Sequence, residues 1–115
     1  MLKQRIRILT DGGVIGADTA EFVMNVIDMI EAEHPKVDAD HAAMFTTHLA
    51  MAVERIKKGE IVDGMDDICW QQIAETPEFP EAQRFRDRML PMSPIPFPES
   101  ESQFILLHIC SMLEP

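Results

Sequence analysis

Tyrosine is absent from this chain, tryptophan occurs once, and there are two cysteines in 115 residues. Two thiols cannot supply the disulfide framework of a small secreted domain, so Cys69 and Cys110 read as reduced core thiols. Cations are also scarce: 10 Lys and Arg stand against 20 Asp and Glu, a net charge of −10. Binding a nucleic-acid backbone rests on clustered cations. The small basic groups here, Lys3/Arg5/Arg7 and Arg84/Arg86/Arg88, are short, and acids surround the second. Direct nucleic-acid binding is therefore not expected, and a basic protein surface is the better electrostatic match. Long apolar runs are missing too. None exceeds five residues, against the roughly 20 that a membrane span needs. Met1 to Arg7 places charges where a signal peptide needs its apolar centre. The chain reads as cytoplasmic, with no membrane partner.

What is present is enough for one core. Hydrophobic residues make up 46%, and nine methionines and six phenylalanines point to a pliable interior. The length fits a single domain over residues 1–115, with 1–16 as an N-terminal extension and 17–113 as the patterned region.

Periodicity predicts helices throughout that region. Residues 2–15 are ambiguous: Leu2, Ile6 and Leu9 have helical spacing, while Arg5-Ile6-Arg7-Ile8 alternates like a strand. A short helix is the preferred reading, closed by the Asp11-Gly12-Gly13 turn. A helix from Asp18, with Asp18 and Glu21 at capping-box spacing, buries Phe22, Val23, Val26, Ile27 and Ile30 and stops at His34-Pro35. Residues 38–58 form the next, with Asp38 and Asp40 at its positive end, Phe45, Leu49, Ala52 and Ile56 as its buried stripe, and Lys57-Lys58-Gly59 at its close. A third spans residues 65–75 with Ile68, Cys69, Gln72 and Ile73 inward. A fourth spans 79–90. The proline-rich stretch 91–98 cannot be helical. A last helix starts at Pro98 and runs to Met112 or Leu113. The fold class is all-α, a compact bundle of about five helices.

Enzymatic signatures are missing. There is no Gly-x-Ser-x-Gly elbow, phosphate loop or His-Glu-x-x-His zinc pattern, and Asp63, Asp66 and Asp67 lack calcium-loop spacing and suit a solvated helix start. An enzyme is not expected, nor is a cofactor. What draws attention is a pair of histidines. His48 lies mid-helix, with His41 seven residues before it and Arg55 seven after, all on one face and about 10 Å apart. His108 lies near the end of the last helix, seven residues after Glu101, where the dipole favours a cationic imidazole. His41 reads as a solvated residue and His34 as a surface helix end. For His48 and His108, three readings are open. They are satisfied core or interface histidines, or metal ligands, or phosphoryl acceptors. Metal is disfavoured because histidines at i,i+7 cannot share one ion and no clustered ligand spacing exists. Phosphorylation needs a neutral imidazole and a nearby cation, for which the Arg55 fork is a candidate that needs help to reach His48.

The motifs carry one resemblance further. His48, Leu49, Ala52 and Arg55, and Pro98, Glu101, Phe104, Ile105, Leu107, His108 and Ile109, resemble the two histidine patterns of the phosphotransferase-system regulation domain. That family controls bacterial sugar-operon regulators. The likeness covers about residues 17–113. Thr47 stands where the family has an aspartate, and Met51 where it usually has an aromatic. The resemblance implies a five-helix bundle that forms a homodimer, with His48 and His108 as phosphoacceptors and Arg55 and Glu101 in support. It implies phosphoryl donation by the phosphocarrier protein HPr or a sugar-specific transporter subunit. The consequence is transcriptional control, exerted on a regulatory protein in trans, since no effector domain accompanies the motifs. The alternative is a protein-binding dimer that keeps the fold without phosphorylation.

Overall fold

The computed structural model describes residues 2–115. Six α-helices are present: α1 (Leu2–Asp11), α2 (Ala17–Glu33), α3 (Ala39–Lys57), α4 (Asp67–Ala74), α5 (Phe79–Met89) and α6 (Glu99–Leu113), with one 3-10 turn at Leu90–Met92. No strand occurs among the described residues. The class is all-α as expected, with six helices rather than about five.

The sixth is α1. Its strand-like alternation fails because Ile6 is fully buried while Ile8 is 64% exposed. Leu2 and Leu9 join Ile6 against the core, which is the helical period. The Gly-Gly turn ends it: Gly13 has φ +75°, and the amides of Gly13 and Val14 donate to the carbonyls of Thr10 and Leu9.

All five expected core residues of α2 are buried. Its cap differs from expectation. Gly16 occupies the cap position and Asp18 lies inside the first turn, so there is no capping box. Asp18 instead accepts from Lys57 Nζ at 2.7 Å. The Gly16 amide donates to Glu54 of α3, as does the buried Thr19 hydroxyl. A Cβ on Gly16 would sit 2.8 Å from Asp18 Oδ1 and 3.1 Å from Lys57 Nζ, both ends of flexible side chains that can move aside. These bonds tie the α1–α2 turn to α3 and leave its first turn capped by another helix.

In α3, Asp38 is the N-cap and accepts from the amides of Asp40 and His41. At the other end Gly59 has φ +75°, and the amides of Gly59 and Glu60 return to the carbonyls of Ile56 and Arg55, a Schellman closure. Phe45, Leu49 and Ala52 are buried and Ile56 is half-buried. The α4 expectation is corrected. This helix has only eight residues, starting after an Asp66 cap. Of the four residues expected inward, Ile73 alone is buried, while Ile68, Cys69 and Gln72 are exposed. Trp70 packs there in their place, against Phe79. Cys69 is thus a surface thiol hydrogen-bonded to Asp66, and both cysteines are free. Pro98 caps α6 rather than entering it.

The described residues share one core. Helix α3 packs on α6, α2 and α1, and α5 packs on α6. Phe45, Leu49 and Val53 of α3 and Ile105, Leu106 and Ile109 of α6 are almost wholly buried. Each stabilises the fold by roughly 2 kcal/mol, so sliding α3 along α6 is costly and their relative register is fixed.

Candidate functional site

That register produces two cross-helix rungs. The helices run antiparallel, so a step of seven residues forward on α3 meets seven back on α6. At one rung His48 and His108 stack, with ring centroids 4.2 Å apart and planes within 10°. At the other, Arg55 donates from Nε and Nη2 to the two carboxylate oxygens of Glu101, at 3.1 and 2.9 Å. Two helical turns, about 10 Å, separate the rungs. All four residues singled out in the sequence therefore line one helix pair.

Leu49 next to His48 and Ile109 next to His108 are buried, so each ring sits at the edge of the core. His48 is exposed and His108 half-buried. No side-chain hydrogen bond holds either ring among the described residues, and stacking orients them. Burial first, then the adjacent His48 ring and then the Arg55 charge lower the His108 pKa from 6.5 to about 4. The helix C-terminus favours a cation, but burial and the neighbouring charges outweigh it, and His108 is neutral near pH 7. A neutral imidazole keeps a nucleophilic nitrogen lone pair.

Arg55 lies one rung away from His48, the separation its spacing implies. Its fork is engaged by Glu101, whose side chain is 3% exposed, and hydrogen bonding to that carboxylate raises the Arg55 pKa further. It closes a polar rung and is not a free phosphate receiver beside His48. His41 is exposed, as expected.

His34, read as a surface residue, is not one. It caps α2, lies 5.9 Å from the Phe85 ring and brings Nε2 within 3.3 Å of Glu81. Glu33, His34 and Glu81 offer donor atoms within 4.8 Å of one another, a grouping that sequence spacing hid because Glu81 comes from α5. Two arginines already offset its charge: Arg88 binds Glu33 with both terminal nitrogens, and Arg84 lies 2.9 Å from Glu81.

Comparison with known proteins agrees with the two histidine motifs. The PRD domain family matches residues 24–111. The uncharacterized protein YhfY of Escherichia coli (strain K12) is 29% identical over 76 residues, which are 65% of this chain and 63% of that protein. The chain thus spans under two thirds of that relative's length. No solved structure matches. Among the described residues no helix is long and apolar enough to cross a membrane. With the family pattern running across most of its length, this chain belongs to the PRD domain family, the regulatory domains related to the sugar phosphotransferase system.

Proposed function

We propose that the stacked His48–His108 pair is a phosphoacceptor site, charged by the phosphocarrier HPr or by a sugar-specific transporter subunit. The domain passes that signal to transcriptional control through a homodimer or a regulatory protein in trans. The observation that supports this most is the stacked pair itself, open at His48 and holding His108 neutral. A neutral imidazole nitrogen attacks the phosphorus of the donor's phosphohistidine. The new N–P bond forms as the donor's N–P bond breaks, and the donor ring keeps the electron pair. About two negative charges arrive with the group. They land beside a second imidazole, which gains affinity for a proton next to the dianion. Membership of a regulatory domain family supports the signalling role.

The test is incubation with phosphoenolpyruvate, enzyme I and HPr, read as acid-labile phosphate by intact mass. The expected result is phosphate on the wild type, lost in part in His48→Ala and in His108→Ala and abolished in the double variant. Absence of label under conditions that charge another PRD protein contradicts the proposal and favours the phosphorylation-independent binding dimer.

A further inference from the structure

A phosphoryl dianion on His48 needs a cation, and Arg55 is already engaged by Glu101. The structure offers another. Helix α1 packs against α3 and brings Arg5 into a cleft of about 350 Å³ that Thr47, His48 and Asp40 also line. Arg5 lies outside the family match at residues 24–111, so nothing in the two histidine motifs points to it. The ion pairs among the described residues use Lys3, His34, Arg55, Lys57, Arg84, Arg86 and Arg88, and leave Arg5 uncommitted. A second residue lining the cleft also has a polar group without a partner. The Thr47 hydroxyl is buried with nothing bonded to it, whereas its neighbour Thr46 bonds back to the carbonyls of Ala42 and Ala43. Asp40 on the same wall repels an anion unless a cation offsets it.

We propose that Arg5 and the Thr47 hydroxyl form the phosphoryl-binding half of the His48 site. The inference rests on the phosphoacceptor reading above. The guanidinium takes phosphoryl oxygens through its fork and cancels part of the charge. The hydroxyl donates to a third oxygen. Thr47, at the position where the family pattern carries an aspartate, then faces the anion as a neutral donor and adds no second carboxylate to Asp40.

Potassium phosphoramidate tests this without any carrier protein. The neutral imidazole nitrogen attacks phosphorus, the P–N bond breaks, and ammonia leaves with the bonding pair and takes up the proton the ring gives up. Labelling of His48 and His108 is followed separately by peptide mass spectrometry at alkaline pH, with His108 as the internal control. Arg5→Gln is expected to slow His48 labelling about tenfold and to change His108, which does not line that cleft, by much less. Arg5→Lys is expected to keep most of the rate, because an ammonium also holds phosphate as a point charge. Thr47→Val is expected to slow His48 by about threefold. Arg5 is exposed, so its two substitutions leave the fold intact, and Thr47→Val keeps the side-chain shape. Wild-type labelling of His48 in Arg5→Gln overturns the inference while the phosphoacceptor reading stands. So does a wild-type His48 that takes no phosphoryl group. If HPr fails to charge the protein yet the Arg5 effect appears with phosphoramidate, the donor assignment falls and this inference survives.

Discussion

His108 has a stability consequence that can be worked out from its surroundings. Burial and the adjacent His48 ring hold its folded pKa at about 4, below the ordinary 6.5. Above pH 6.5 the ring is neutral in both states and the fold suffers no loss. Between 6.5 and 4 the unfolded chain binds a proton that the folded chain excludes, so stability falls with pH across that window. The loss is on the order of 2 kcal/mol once solvent screening at the half-open ring is allowed for. Urea melts at pH 7.0 and 4.5 check this, and His108→Gln is expected to flatten the difference. The carboxylates are separate. Arg88 holds Glu33 below its usual range, and hydrogen bonds from Thr19 and Lys57 outweigh burial to do the same for Glu54. What they contribute is present above the ordinary carboxylate range and is lost as pH falls through their lowered values. The Arg55–Glu101 rung is asymmetric. Glu101 is the buried member, so Arg55→Ala strands a carboxylate in the core and is expected to cost about 3 kcal/mol. Glu101→Gln leaves a guanidinium that still reaches water, and a loss of about 1 kcal/mol is expected. Equal losses in denaturant melts would mean that the rung is not buried as described.

At the scale of elements, helix ends carry measurable weight. Gly59 closes α3 at φ +75°, a region that side chains disfavour, so Gly59→Ala is expected to destabilise by about 1 kcal/mol. A lowered Tm without loss of helical circular dichroism is the readout. The long helices were legible from residue order alone because each carries a full apolar stripe and its own stop: Phe22 to Ile30 before His34-Pro35, and Phe45 to Ala52 before the Gly59 turn. Of the short ones, α1 and α5 followed their patterns and α4 did not. Helix α4 touches the body mainly along α6, and an eight-residue segment with Ile68, Trp70 and Ile73 offers more than one inward face. Which face wins depends on where Phe79 and α6 lie. The Asp18 cap failed for a related reason. Asp18 has good local chemistry, but Lys57 from α3 claims its carboxylate, and the α2 start shifts to Gly16.

For the whole molecule, the seven-residue steps from His48 to Arg55 and from Glu101 to His108 were visible in the sequence. That the two steps run in opposite senses, and so stack one ring on the other and close Arg55 onto Glu101, is a property of antiparallel packing that spacing on one helix cannot contain. Arg5 was invisible for the same reason, since it comes to line the His48 cleft only through the packing of α1 on α3. Phosphorylation adds about two negative charges to a chain already at −10. In the proposed homodimer the phosphorylated form is therefore expected to associate more weakly at low salt and to recover at high salt, where screening shortens the reach of the repulsion. Sedimentation of the two forms at low and high salt measures this, and identical association in both removes charge as the signal. The paired site requires two imidazoles sharing one electrostatic environment. The most direct measurement is an NMR pH titration of both histidine rings in the wild type and in His48→Gln. His108 is predicted to titrate near pH 4 in the wild type and to move toward 6.5 when the neighbouring ring is removed. A His108 that titrates at 6.5 and ignores the substitution contradicts the paired site.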